Sequence, residues 1–172
     1  MSYGNCSDID VVITQDGCIT PERGRIEYIA AVRTTETLAD PSNPAQWTAL
    51  LNSGKAFKMK GAGDKPKGAP VTADGVGSQE TRTVGRNQTI NFVADDYADN
   101  IEEFNQLNFS TGYRLYYVTE EYVWDTGVAA NFDIDTNIQR STGTLIRAEM
   151  VITWSNPRLA TPYARPLAIF PL

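Results

Sequence analysis

The sequence predicts a mainly β protein, a sandwich or a barrel, with one or two short helices. Three observations carry that expectation. Ile146, Ala148, Met150, Ile152 and Trp154 alternate with Arg147, Glu149 and Thr153, which is the period of two that a half-buried strand requires. Tyr113 to Trp124 (YRLYYVTEEYVW) is dense in aromatic and β-branched side chains, which fit a pleated surface better than a helix. Only two short stretches show helical spacing, and each is bounded by residues that start or stop a helix.

In chain order, Ile9, Val11 and Ile13 alternate with Asp10, Val12 and Thr14, and Asp16-Gly17 is a tight-turn pair. After a second turn at Pro21–Gly24, Ile26 to Val32 reads as a strand with Ile26, Tyr28, Ala30 and Val32 on one face. The first helix begins at Asn43-Pro44. Asparagine caps free N–H groups, and proline suits the first helical position because its missing N–H has no partner to lose. Trp47, Leu50 and Leu51 share one face, and Gly54 stops the helix.

Residues 60–80 (KGAGDKPKGAPVTADGVGSQE) lose all periodicity. A stretch of that length is expected to be functional or disordered, and we read it as a long extended loop, an arm or a long hairpin. Strand character resumes from Thr81 to Val93. Asp95 and Asp96 then favour a helix start, and Tyr97, Ile101, Phe104 and Leu107 follow at helical offsets before Gly112. Tyr113–Trp124 is expected as one long strand. Phe132, Ile134, Thr136 and Ile138 form the next, Ser141-Thr142-Gly143 turns the chain, and Ile146–Trp154 is the most regular strand. The tail from 156 to 172 holds four prolines, so it is expected as an extended strap and never as a central strand. One domain over residues 1–172 is the expected organisation.

Composition limits function. The chain has 15 cationic and 21 acidic residues, a net charge of −6, which disfavours a groove that binds nucleic acid through clustered Lys and Arg. No apolar run is long enough to span a membrane as a helix, and the N-terminus lacks the order of a secretory signal, so synthesis and retention in the cytoplasm are expected. There is no histidine, which removes the Ser-His-Asp and Cys-His arrangements. Cys6 and Cys18 are too few for a zinc site and are expected as free thiols. No phosphate-binding or dinucleotide-binding glycine loop occurs.

Three carboxylate groupings merit weighing. Asp133-Ile134-Asp135-Thr136-Asn137 opens like a calcium loop, but Ile138 and Thr144 stand where glycine and glutamate are needed. A solvated strand face is the expectation. Asp95, Asp96, Asp99, Glu102 and Glu103 are expected to serve one helix start. Glu120 and Glu121, set among Tyr116, Tyr117, Tyr122 and Trp124, have the ingredients of a sugar-binding surface, although aromatic side chains are also what a β core consumes. No catalytic, cofactor-binding or metal-ligating residue is assigned, and no cofactor is expected.

Gly85-Arg86-Asn87-Gln88-Thr89 leading into a strand, then DDYADNIEEFNQLN and YRLYYVTEEYVW, resembles small virion proteins of tailed bacteriophages. Tail-tube, tail-hub and neck-ring subunits are the nearest in style. The strand ending Val151-Ile152-Thr153-Trp154-Ser155 and the later Thr161-Pro162-Tyr163 extend the resemblance, which covers roughly residues 81–166, about half the chain. It implies a non-enzymatic β-sandwich subunit of the virion with a flanking helix, made in the host cytoplasm. Such subunits assemble with copies of themselves and with other virion proteins into rings, six-fold or a multiple. The ring encloses a channel that passes double-stranded DNA without binding it specifically. Residues 60–80 would match the loop that reaches a neighbour. The competing expectations are a monomeric β-sandwich module recognising carbohydrate or a cell-surface partner, and an enzyme built on Glu120 and Glu121.

Overall fold

The structure is a computed structural model and describes residues 24–75, 77, 81–94, 97–138 and 146–172. Outside the described residues lie the expected strand at 9–13, the Asp16-Gly17 turn, both cysteines, the Asp95-Asp96 pair and the Ser141–Gly143 turn. Among the described residues, eight strands and two short helices follow in the order β1 (Ile26–Arg33), α1 (Pro44–Asn52), β2 (Ala56–Asp64), β3 (Ala69–Ala73), β4 (Arg82–Ala94), α2 (Ile101–Leu107), β5 (Tyr113–Val118), β6 (Tyr122–Asn137), β7 (Arg147–Ser155) and β8 (Thr161–Ala164). A 3-10 turn at Ala98–Asn100 leads into α2.

The expected mainly β fold is what forms. All strand pairs are antiparallel and join one sheet in the order β2-β1-β5-β6-β7-β4-β3, with β8 beside β6. β2 pairs a second time, with β4, from Gly61 opposite Ala94 to Asp64 opposite Asn91. Six strands therefore close into a barrel, and β3 and β8 remain outside the ring. Closure depends on two glycines. A Cβ on Gly61 would lie 2.1 Å from the Val93 carbonyl oxygen, and one on Gly63 would lie 2.6 Å from that of Asn91. The Phe92 ring covers both positions, as an aromatic side chain does when it shields a strand glycine.

Two buried clusters share the wall of this barrel. Inside are Ile29 and Ala31 of β1, Ile90 and Phe92 of β4, Leu115 of β5, Phe132 of β6, and Met150 and Ile152 of β7, while Phe104 and Leu107 of α2 join them. Outside, α1 and the C-terminal segment cover β1 and β5 through Trp47, Tyr28, Tyr116, Val118 and Phe170. Trp47 meets Tyr116 and Phe170 edge to face, with centroids 5.3 and 5.2 Å away, a favoured aromatic geometry. Its Nε1–H donates to the Pro41 carbonyl at 2.8 Å. The α1 start is as expected: the Asn43 side chain accepts from the Ala45 N–H, and Pro44 opens the helix. Gly54 takes φ +69 just beyond its end.

Several expectations change. β1 is buried on both faces, and an irregularity between Ile26 and Tyr28 turns Ile26 into the inner cluster, while Tyr28, Ala30 and Val32 face the outer one. Tyr113–Trp124 is a hairpin. Its strands β5 and β6 are joined at Thr119–Glu121, and the Thr119 N–H donates to the Tyr122 carbonyl at 2.9 Å. Residues 60–64 complete β2, and 69–73 pair with 82–87, so much of the 60–80 segment takes the hairpin form, the other part being β2. Ile138 and Ile146 are 70% and 52% exposed, since the alternating burial of β6 and β7 stops short of them. Ile101 is also exposed. Ala148, Met150, Ile152 and Trp154 do face inward.

Arg165 holds the tail. Its side chain is 2% exposed and pairs with Glu27 at 2.7 Å. It also donates to the carbonyls of Thr119, Glu120, Phe170 and Pro171. A buried guanidinium is stable only when its fork of donors is met in this way. β8 itself lies at a sheet edge beside Tyr122–Asp125, where Pro162 is tolerated.

Candidate functional site

The carboxylates singled out in the sequence do not converge. Asp133 and Asp135 stand exposed on β6, where Asp135 accepts from the Thr136 N–H and Asn137 donates to Glu149 at 2.7 Å. Thr144 lies outside the described residues. Asp99, Glu102 and Glu103 are exposed around the start of α2, whose seven residues cap one end of the barrel. Among the described residues, no three Cys, Asp or Glu side chains are grouped to hold a metal ion. No helix among them is long and apolar enough to cross a membrane.

The aromatic grouping around Glu120 and Glu121 divides across the sheet. Tyr116 points into the outer cluster, where its hydroxyl has no hydrogen-bond partner. Burial, and then the Asp125 carboxylate, push its pKa well above the usual tyrosine range. Arg114 grips that carboxylate with two hydrogen bonds, at 2.9 and 2.5 Å. Tyr117 points the other way and stacks on Trp124, with centroids 5.9 Å apart and planes 9° from parallel. Burial lifts the Tyr117 pKa to about 12.

Tyr117, Trp124 and Trp154 wall a cleft of about 340 Å³ that Lys65, Gln88 and Arg158 also line. Lys65 places its ammonium 5.9 Å from the Trp154 ring centroid, and burial lowers its pKa from the ordinary lysine value. Trp124 is fixed by an Nε1–H bond to Thr119 Oγ1 at 3.1 Å. Gln88 is 6% exposed, and its Oε1 is buried without a partner. Neither Glu120 nor Glu121 lines this cleft. The sequence reading picked out Tyr117 and Trp124 but missed Gln88, Trp154 and Arg158 as cleft residues, because β4, β7 and the loop after β7 bring them to β5 and β6. Gln88 did carry a local signal: a long polar side chain at an inward position of β4.

A second feature is the ribbon made by β3 and the first part of β4. Arg82–Gly85 pairs with β3 alone, the Arg86 carbonyl also accepts from the Asn156 N–H at 3.3 Å, and Asn87–Ala94 pairs with β7. Ala69, Pro70, Thr72, Ala73, Arg82 and Thr83 are exposed, as is Val84 at 53%. The ribbon therefore has no core of its own, and two strands alone are marginal in water. It extends from one end of β4, and α2 follows the other end, thirteen residues away or roughly 40 Å of extended chain. Charge does not divide along this axis: residues 64–86 hold four cationic and three acidic residues and residues 95–103 hold five acidic and no cationic ones, but Lys58 and Lys60 of β2 line a pocket together with Glu103 of α2.

Comparison with known proteins finds no matching family model, no similar curated protein and no similar solved structure.

Proposed function

We propose that this chain is a non-enzymatic structural subunit that works by assembling with copies of itself into a ring or tube. On the resemblance noted above, the reading extends to a tail-tube, tail-hub or neck subunit of a phage particle, with DNA passing through the lumen. The observation that carries the assembly reading is the β3–β4 ribbon. It is ordered by backbone pairing, buries almost nothing, and leaves a free strand edge, the surface through which chains add to one another. A contact between that edge and a different surface of the next copy is head-to-tail, and it closes into a ring when the rotation permits.

The test is light scattering after size exclusion, with negative-stain imaging, on the full chain and on a variant lacking the ribbon. Ala69 and Asn87 are register partners, so replacing residues 70–86 by Asn-Gly leaves a two-residue hairpin turn. The full chain is expected to form cyclic oligomers as concentration rises. The shortened chain should keep its barrel and stay monomeric. A full chain that remains monomeric at every concentration overturns the reading, and so does a shortened chain that assembles equally well.

A further inference from the structure

We propose that the cleft between Tyr117, Trp124, Trp154, Lys65, Gln88 and Arg158 is a binding site for an acidic sugar residue, of the uronate class. This goes beyond assembly and does not depend on it. Three properties of the cleft define what fits. Its walls are aromatic rings held rigid by stacking and by the Trp124 hydrogen bond, and a flat ring face takes the C–H face of a sugar while tolerating its hydroxyls. Two cations line it: Lys65, whose ammonium lies over the Trp154 ring, and Arg158, exposed on the loop after β7. Neither forms an ion pair with a carboxylate among the described residues. An anion entering the cleft would offset the desolvation that already lowers the Lys65 pKa.

The third property is Gln88. Its buried Oε1 has no partner, and such a group costs stability until a donor meets it. The last torsion of a glutamine side chain is soft, so the amide can turn toward a ligand hydroxyl at the cleft floor. A carboxylate, hydroxyl donors and an apolar ring face occur together in a uronate. A neutral sugar lacks the first and a fatty acid lacks the second. The volume of about 340 Å³ is at the small end for ligand sites and suits one or two sugar rings. The surface weighed in the sequence, a sugar platform beside Glu120 and Glu121, would have repelled this ligand. The cleft has the opposite charge.

The experiment titrates the full chain with tri-galacturonate, with galactotriose, and with a short aspartate-rich peptide. It follows tryptophan fluorescence and checks each titration by calorimetry. Trp47 is sealed in the outer cluster at 0% exposure, so a fluorescence change reports Trp124 and Trp154. Saturable binding of tri-galacturonate alone is expected. Arg158→Ala and Lys65→Met should each weaken it by roughly tenfold or more, the loss of one charge-assisted contact, with melting temperature unchanged. Trp124→Leu should weaken binding in the calorimeter and leave only the part of the optical signal that Trp154 reports. The proposal is overturned by absence of saturation, by equal binding of galactotriose, by preference for the peptide, or by cation variants that bind as the parent does.

Discussion

β4 passes through two surroundings within one strand. From Asn87 to Ala94 it pairs with β7, and from Asn91 to Ala94 with β2 as well, and Ile90, Phe92 and Ala94 are at most 2% exposed. From Arg82 to Gly85 it has one strand neighbour, β3, with the Asn156 N–H meeting the next carbonyl, that of Arg86, and its side chains mostly face water. The backbone pairing is of one kind throughout, so the ladder itself cannot distinguish the halves. Burial does. A ladder hydrogen bond contributes little net stability because water offers the same bond to the unfolded chain, whereas burying an isoleucine or phenylalanine side chain contributes about 1.5–3 kcal/mol. The barrel half specifies the fold, and the ribbon half is free to serve an interface.

The sharpest way to break that contrast is to reopen the barrel. Gly61→Val would drive a branched side chain into the Val93 carbonyl, a backbone group that cannot step aside. We expect a loss of at least about 3 kcal/mol, read as a chain without a cooperative thermal transition. A melting curve close to the parent's would show that β2 and β4 need not meet. Next comes Ile152→Ala. Ile152 lies opposite both Ile90 and Phe132 at 0% exposure, and its truncation should cost about 2–5 kcal/mol in urea unfolding. A shift under about 1 kcal/mol would mean that the inner cluster relaxes around the gap.

Alkaline pH should then separate the halves by chemistry. Tyr117 belongs to the barrel, and its folded pKa stands at about 12 against an ordinary 10.0. The folded state therefore keeps a proton that the unfolded chain has released. Stability is complete below pH 10 and falls as pH rises toward 12, by roughly 2–3 kcal/mol for that shift. Residues 69–86 contain no tyrosine, so this loss belongs to the barrel. Burial raises the Tyr116 pKa as well, which adds a loss of the same sign, so Tyr117→Phe should make the profile shallower in that window without flattening it, and an unchanged profile would place the alkaline sensitivity elsewhere. The smallest effect is reserved for the ribbon. Val84→Ser, at a side chain 53% exposed, should change unfolding free energy by less than about 0.5 kcal/mol. A larger loss would show that the ribbon contributes to the fold after all.

The sequence disclosed what local chemistry decides. Asn43-Pro44 and Gly54 frame α1 because capping needs only neighbours, and the β7 face from Ala148 to Trp154 follows from simple alternation. It concealed what distant groups decide. The Thr119–Glu121 turn contains no glycine, proline or asparagine. Arg165 bonds two of its carbonyls from forty-odd residues away, a partnership without a local signature. Gly61 and Gly63 looked like loop residues, since a glycine chosen for a close approach of two strands has the same letter as one chosen for flexibility. The ribbon and the aromatic cleft were half legible: the segment and two of the rings stood out, whereas the cations and Gln88 that complete the cleft depend on topology.

The Arg165 anchor has a consequence for the order in which the protein is made. Phe170 and Ile169 belong to the outer cluster with Trp47 and Tyr28, and Arg165 joins them to β1 and the β5–β6 turn. Every barrel strand has left the ribosome before these residues emerge, so the nascent barrel exists for a time with the Trp47 side of its wall incompletely covered. A product cut short before Arg165 would stay in that condition. Its exposed aromatic surface is the kind that chaperones and proteases recognise. The clasp therefore conceals an aromatic surface that a chain without it leaves open.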